Sequence, residues 1–496
     1  MSGTRGKRQA QRLLAAVILG LSSAGEVARA DDNTDTINSL KQENQQLKNE
    51  LKAIRDDFEK KMKSLEEQFD QKVKVVDRKR EVETEAANAK WKEEFTTAKS
   101  KFGLPEWVTS VRLIDDLRIR YDGMFAPDSD FVSRHRIRPR LRLGGIATLQ
   151  DDFDIGFRLA SAPSVGKDTG GDPLSTNQTF EDNASRKPVG IDWAFVRWNP
   201  IHTDRWTGSF GAGKMDNPPN FTEDVFDVDY TPEGLSQQFA FKLNKNHTLS
   251  SYFGQYMLDE LQVSGKDPFL FVEQLHLESK WNPHVSTAFT LSGLSIVNAE
   301  QLTNAAVPDS NHGNTRNAAG VLQNDYQLLI ADGSLTYTLD RAPFYNGPFP
   351  ITLYGEYIQN FGADRNNTGF SFGPTFGKVS QRNYAGVQNQ KGRWEISYRY
   401  QELQGDANYE ELTASDNGAF YRERPPGEPP AGGAPTFRPT FFNGLNLRGH
   451  AFRVAYAPYN SLVLDARLWL NEPIEALRPS DKVQGVRFLF DTIWKF

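Results

Sequence analysis

The chain has no cysteine among its 496 residues, only 7 histidines and 5 methionines, and no long apolar run beyond its N-terminus. Each shortage removes a class of protein. Without cysteine there is no disulfide framework, no thiolate metal site and no thiol nucleophile, and the composition suits an oxidising envelope compartment. The histidines (His135, His202, His247, His276, His284, His312 and His450) show no ligand spacing such as HxxxH, and no phosphate-binding glycine loop occurs. No catalytic residue, metal ligand or cofactor is therefore expected. A net charge of −6 argues against a dedicated nucleic-acid partner. No stretch after the N-terminus reaches the roughly 18 apolar residues of a membrane helix. A mean hydropathy of −0.59 would ordinarily describe a soluble protein. A membrane β-barrel escapes that inference, because only alternate residues of its strands face lipid.

What is present begins with an export signal. Arg5, Lys7, Arg8 and Arg12 precede the apolar stretch Leu13 to Leu21, and Ala28-Arg29-Ala30 reads as a cleavage site, which assigns residues 1–30 to a signal peptide. Residues 31–98 contain neither proline nor glycine. Ile37, Leu40, Leu47, Leu51, Ile54, Phe58 and Leu65 recur at heptad a and d positions, with Asn44 at an a position. Lys61 and Gln68 interrupt the d positions, and Met62, Leu65, Phe69, Val73 and Val76 continue in a shifted phase. This segment is expected to be a periplasmic, self-associating helical stalk. A single amphipathic helix lying on other protein is the alternative.

After a linker at 99–110 the period changes to two. The stretch RHRIRPRLRLGG carries Arg134, Arg136, Arg138, Arg140 and Arg142 at every second position. A strand places all five guanidinium groups on one face, with His135, Ile137, Pro139, Leu141 and Leu143 on the other. Pro139 removes a donor and predicts a bulge or bend there. Arg118 and Arg120 on the preceding strand and Arg158 on the following one join the same cationic wall. Strands are expected near 111–125, 134–149, 151–163, 188–199, 204–214, 235–243, 246–259, 268–281, 284–298, 324–340, 348–362, 376–389, 392–404, 446–457, 461–472 and 480–496. Short turns such as Asn244-Lys245, Gln390-Lys391 and Pro458-Tyr459-Asn460 alternate with longer connections at 164–187, 215–234, 299–323, 363–375 and 405–445. Short turns on one side and long loops on the other, with an even strand number, characterise outer-membrane barrels. Phe488, Phe490, Thr492, Trp494 and Phe496 share one face of the last strand, an aromatic ending suited to barrel assembly. The expected fold is an all-β transmembrane barrel of about 16 antiparallel strands over 111–496, preceded by a helical coiled-coil segment.

The RxRxRxRLG strand at 136–144, the FVRW strand at 195–198, and GKMDNP (213–218) leading to DVDYTPEG (227–234) are carried in this order. On these motifs the chain resembles the outer-membrane putative porin family, which is similar to the phosphate-selective porins O and P. The resemblance covers roughly residues 105–496. It implies a homotrimeric channel for small hydrophilic solutes.

Arginine keeps its charge at physiological pH and grips phosphate or carboxylate with a forked geometry, so the wall is a candidate path for anionic solutes. Its candidate counterweight is the third long connection, with Asp216, Glu223, Asp224, Asp227, Asp229 and Glu233. Folded inward, these acids would face the arginines and set up a transverse field that favours small dipolar or charged solutes. Left outside, they would leave the arginines unopposed and the channel anion-selective. Asp154, Asp192, Glu395, Arg399, Arg453, Asp465, Arg467 and Arg487 are further lumen candidates. Arg197 shares a face with Trp193 and Phe195, which suggests snorkelling at the membrane interface or a shifted register. The run PPGEPPAGGAP marks 405–445 as a flexible exposed loop. Two other readings remain open: a structural protein tethered to the cell wall through residues 31–98, and an adhesin or receptor presenting its long loops.

Overall fold

Residues alternating in polarity at every second position can only be satisfied by a wall with two different sides. The computed structural model describes residues 42–64 and 105–496, apart from 126–130, 163–171, 263, 305, 308–312, 318, 384–385, 419, 423–440 and 476–483. The chain divides into two units, Met1–Gly103 and Leu104–Phe496. In the first, residues 42–64 are helical; the rest of the expected signal peptide and stalk lies outside the described residues. No described helix is long and apolar enough to cross a membrane.

The second unit is a barrel. Strand β1 runs in two end-to-end segments, Val108–Leu113 and Asp116–Phe125, both paired with β2 (Arg134–Leu149). There follow β3 (Phe153–Ser161), β4 (Val189–His202), β5 (Trp206–Lys214), β6 (Glu233–Asn244) and β7 (His247–Met257). Next come β8 (Phe269–Lys280), β9 (Val285–Val297), β10 (Tyr326–Leu339) and β11 (Phe349–Asn360). The wall ends with β12 (Thr368–Gly377), β13 (Arg393–Leu403), β14 (Leu447–Tyr459), β15 (Leu462–Pro473) and β16 (Gly485–Lys495). Each strand pairs antiparallel with the next, and β16 returns to β1 through a register from Asp116↔Lys495 to Phe125↔Val486. With β1 counted once, the seventeen paired segments form a closed barrel of sixteen strands. Closure leaves no sheet edge, which is what allows strands to span a membrane.

One strand differs from the sequence reading. The twelfth is Thr368–Gly377, not 376–389, so most of the supposed loop 363–375 is wall. The supposed two-residue turn Gln390-Lys391 becomes the longer connection 378–392, which carries a small hairpin, Ser380–Asn383 with Gly386–Asn389. The glycines and proline that suggested a loop belong to the wall. A Cβ at Gly373 would sit 1.9 Å from the Tyr398 carbonyl oxygen on β13, so only glycine allows that approach.

Pro139 causes no bulge. Its pairing with Ile119 of β1 lies in an unbroken register from Asp116↔Arg142 to Met124↔Arg134. Its carbonyl points to the opposite edge, beyond the end of β3, where it accepts from Gln178 N at 3.0 Å. The missing N–H therefore removes no rung of the β1–β2 ladder. A true bulge occurs on β4 instead, where Arg158 opposes Trp193 while Leu159 opposes Ile191. The extra residue turns Asp192 and Trp193 to the same, inner side, and both are buried.

The outer face carries Leu141, Ile155, Phe157, Leu275, Phe289, Leu353, Phe372 and Val454, all exposed. Aromatic side chains collect at the short-turn end, with Phe153 stacked on Trp198 at 6.0 Å and Trp206 against Phe241 at 4.4 Å. Such a girdle suits a membrane–water boundary. Within the belt lies one polar patch: Gln237 and Gln255 exchange amide hydrogen bonds at 3.1 and 3.0 Å, and on the next strand Glu273 is exposed.

The hydrophobic core lies inside the barrel. Toward the long-loop end, the inner faces of β7 to β11 are apolar, with Tyr252, Tyr256, Leu270, Val272, Leu294, Tyr326, Ile330 and Ile358 buried. Val225 and Phe226 from the connection after β5, Leu302 from that after β9, and Tyr409 and Leu412 from that after β13 pack into the same cluster. Burying an aromatic or aliphatic side chain of this size contributes about 1.5–3 kcal/mol, which is reason enough for these loops to turn inward.

Candidate functional site

The inner face opposite that core is charged. Arg138, Arg140 and Arg142 of β2, Arg118 and Arg120 of β1 and Arg158 of β3 are buried inside the barrel, Arg136 is nearly so, and Arg134 is half-buried at the long-loop end. Like charges at this density require counterions, and the strands themselves supply some. Arg120 forms a two-pronged pair with Asp491 of β16 at 2.8 and 2.9 Å, and Arg487 of β16 answers with one to Asp122 of β1, both at 3.1 Å. Asp122 also takes Arg136 at 2.5 Å, Arg140 takes Asp116 at 2.8 Å, and Arg158 lies 2.5 Å from Asp192 with its guanidinium 3.5 Å over Trp193.

The connection 215–232 crosses the lumen. Gly213 and Gly234 face each other across its neck at φ +116° and +154°. A Cβ on either would come within 2.3 Å of the Ala194 carbonyl oxygen or 2.1 Å of that of Gln255, respectively. Both conformations belong to glycine, and the sharp inward turn depends on them. At one end Asp229 reaches the arginine wall, 2.6 Å from Arg142, 3.3 Å from Arg140 and 4.0 Å from Arg118. At the other, Glu223 lies 3.3 Å from Arg467 of β15, and Asp224 lies 3.4 Å from Arg399 of β13. Between them Thr222 donates to Glu356 of β11 at 2.8 Å, and Asn220 to Gln274 of β8 at 3.3 Å. The loop is therefore amphipathic by position: Val225 and Phe226 enter the greasy wall and the acids meet the arginines.

Electrostatics differ between two acids in this loop. Burial pushes Asp229 up, but Arg142, Arg140 and Arg118 outweigh it and hold its carboxyl below the usual range. Asp227 is raised well above that range by burial and by Asp229 beside it. Its oxygens accept from two backbone amides, Asp229 N at 2.7 Å and Ser415 N at 3.3 Å. Asp216 is half-buried, and Glu233 is an exposed rim residue paired with Lys214 at 2.9 Å. Of the six expected acids, one meets the arginine ladder, two meet the far wall, and one joins loop to loop.

Residues 130–316 match the family described as Putative porin. The chain is porin-like. No curated protein matches it. Among solved structures it is similar to Pseudomonas putida OprB, at 9% identity over 78% of this chain and 94% of that one, with a TM-score of 0.44. It is likewise similar to a double mutant of the Rh. blastica porin, at 9% identity over 78% of this chain and 100% of that one, with a TM-score of 0.37.

Other parts of this porin-like lumen were not legible as partners of the ladder. The connection 405–445, read as exposed, is buried in its first part: Asp406, Asn408, Tyr409, Glu410 and Leu412 are almost completely covered. Its Asp416 reaches Arg120 at 2.7 Å and Arg487 at 3.0 Å. The two arginines outweigh burial and hold its carboxyl well below the ordinary range. The Pro/Gly run at 425–435 lies outside the described residues. The acidic stretch 406–416 before that run was the available signal. A second cover comes from the connection after β3, where Asn177 Oδ1 accepts from Arg118 at 2.5 Å and its carbonyl from Arg138 at 3.2 Å. Arg197 does not snorkel: the β4 bulge turns Trp193 and Phe195 inward, and its guanidinium lies 5.2 Å over the Phe195 ring. Beside the crossing loop lies a cavity of about 800 Å³, lined by Asp192, Lys214, Asp229, Glu233 and Asp259 among others.

Proposed function

We propose that the chain is a passive outer-membrane channel for small hydrophilic solutes and ions, exported by residues 1–30 and working as a homotrimer. The observation that carries this reading is the acidic loop held across a charged lumen, Asp229 on the arginine wall and Glu223 and Asp224 on the wall of Arg467 and Arg399. Charges of opposite sign on facing sides of a narrow aqueous path create a transverse field, which favours dipolar and charged solutes over apolar ones. Because Asp229, Asp122, Asp416 and Asp491 neutralise much of the ladder, the anion preference is mild. What preference remains comes from Arg138 and Arg118, whose nearest carboxylates stand 3.6 Å and 3.9 Å away. The cavity beside the loop serves as the vestibule through which solutes reach the ladder.

The test is the reversal potential of the purified protein in a planar bilayer across a salt gradient. Wild type should conduct in fixed steps with a modest anion preference, and Arg136→Ala, Arg138→Ala and Arg140→Ala together should reverse the sign. A barrel that inserts but never conducts in any salt would refute the channel. An unchanged reversal potential in the triple variant would remove the ladder from the narrow region.

A further inference from the structure

The channel makes no use of the helix at 42–64. Its apolar residues Leu47, Leu51, Ile54, Phe58 and Met62 are all between 44% and 67% exposed. Leu47, Leu51, Ile54 and Phe58 fall at alternating d and a positions of one heptad frame, which makes a single stripe along the helix. The residues flanking this stripe are sorted by sign. Glu43, Glu50 and Asp57 occupy the g positions, and Lys48 and Arg55 the e positions.

That sorting fixes both the partner and its direction. In a parallel, in-register pair, a g residue lies beside the e residue of the next heptad on the other helix. Here this sets Glu43 beside Lys48 and Glu50 beside Arg55, in both directions across the seam. An antiparallel pair would set g against g and e against e, acid against acid and base against base. A cell-wall polymer or an unrelated helix gives no reason for one chain to carry both complementary rows. We infer that residues 42–64 are a parallel, in-register coiled-coil face whose occupant is a further copy of this same chain. The Leu51–Ile54 layer, leucine at a and isoleucine at d, favours more than two strands. Lys61 at the next d position turns to Asp57 at 2.8 Å, so the seam weakens toward the end of the described helix. Parallel order is also the one open to copies held in one membrane.

The chain contains no cysteine among its 496 residues, so an introduced thiol is a unique reporter. Leu47→Cys sits in the seam and Asn49→Cys on the opposite, f face. Under mild oxidation in membranes, Leu47→Cys should form chain-to-chain disulfides at least about tenfold faster than Asn49→Cys. Glu43→Lys, Glu50→Lys and Asp57→Lys together should slow the Leu47→Cys reaction about tenfold. Co-expression with a differently tagged chain carrying Lys48→Glu and Arg55→Glu should restore it, now as mixed products. Equal rates at Leu47→Cys and Asn49→Cys overturn the proposal, as does indifference to charge reversal, failure of the complementary chain to rescue, or crosslinking of Leu47→Cys to a different protein. Conductance of the same variants reports the barrel separately.

Discussion

Removing the Asp229 carboxylate tests whether the crossing loop sets the field in the lumen. Asp229→Ala takes a negative charge from beside Arg142, Arg140 and Arg118. Deleting one partner of a buried pair typically costs about 3–5 kcal/mol. Arg140 keeps Asp116 at 2.8 Å and Arg142 keeps Asp192 at 3.7 Å, so the loss here falls at the lower end. Val225 and Phe226 remain buried and oppose undocking with about 1.5–3 kcal/mol each, so the loop should stay inside. What changes is the potential felt by a passing ion. At a distance of about 8 Å, one unit charge is worth roughly 0.5 kcal/mol in water and about 2 kcal/mol at an effective dielectric near 20. Anion permeability should therefore rise, and cation permeability fall, by about two- to thirty-fold each, read as a shift of the reversal potential in a salt gradient. Asp204→Ala, on the exposed short turn between β4 and β5, is the control and should leave it unchanged. A reversal potential equal to wild type in Asp229→Ala, or an equal shift in the control, would refute the reasoning.

Three further outcomes follow from the same geometry. Asp227 has a raised carboxyl, so folding takes up a proton there and its ionised form weakens the fold as pH rises above about 4; Asp229 is lowered, so its contribution is present above about pH 4 and lost below. At pH 8 Asp229→Asn should destabilise the fold more than Asp227→Asn does, and urea titrations should show the gap closing as the pH falls below about 4. Gly234→Ala, at φ +154° with its Cβ 2.1 Å from the Gln255 carbonyl oxygen, should lose about 2 kcal/mol or more and conduct irregularly; a variant indistinguishable in both respects would mean that the loop neck is not rigid. Glu273→Leu should stabilise the barrel in lipid vesicles by about 1–2 kcal/mol, since an outward carboxylate is costly in the belt, and a loss of stability there would place something other than lipid against it.

The wall was legible because a barrel strand declares its faces by alternation alone. Arg134 to Arg142 and Phe488 to Phe496 needed no tertiary information to be sorted, and the same parity places Asp122 and Asp491 inside. Where packing rather than polarity chose the residue, the reading failed. Strand β12 (TGFSFGPTFG) has glycines where the neighbouring backbone approaches too closely for a side chain, and they imitate a loop. Its Phe370, Phe372 and Phe376 at even spacing were the surviving clue. A bulge is equally silent: nothing in FVRW says that Trp193, two residues earlier, turns inward with Asp192. The least legible feature was the destination of the connection after β13. Asp416 finds Arg120, 296 residues away in sequence, only because both ends of the wall meet.

That meeting has a consequence for how the molecule is made. Arg120 and Asp491 stand 371 residues apart in sequence, and Arg487 and Asp122 are separated by 365. Neither pair can form until β16 has found β1, and Asp416 has its two arginines side by side only then. Before closure, Arg120, Arg487 and Asp416 are unmatched charges, and the segment that carries Asp416 has no electrostatic reason to enter the lumen. Such long-range contacts form late, because the loop they close is long. The charged network around Asp416 is thus completed only in a barrel whose first and last strands have already joined.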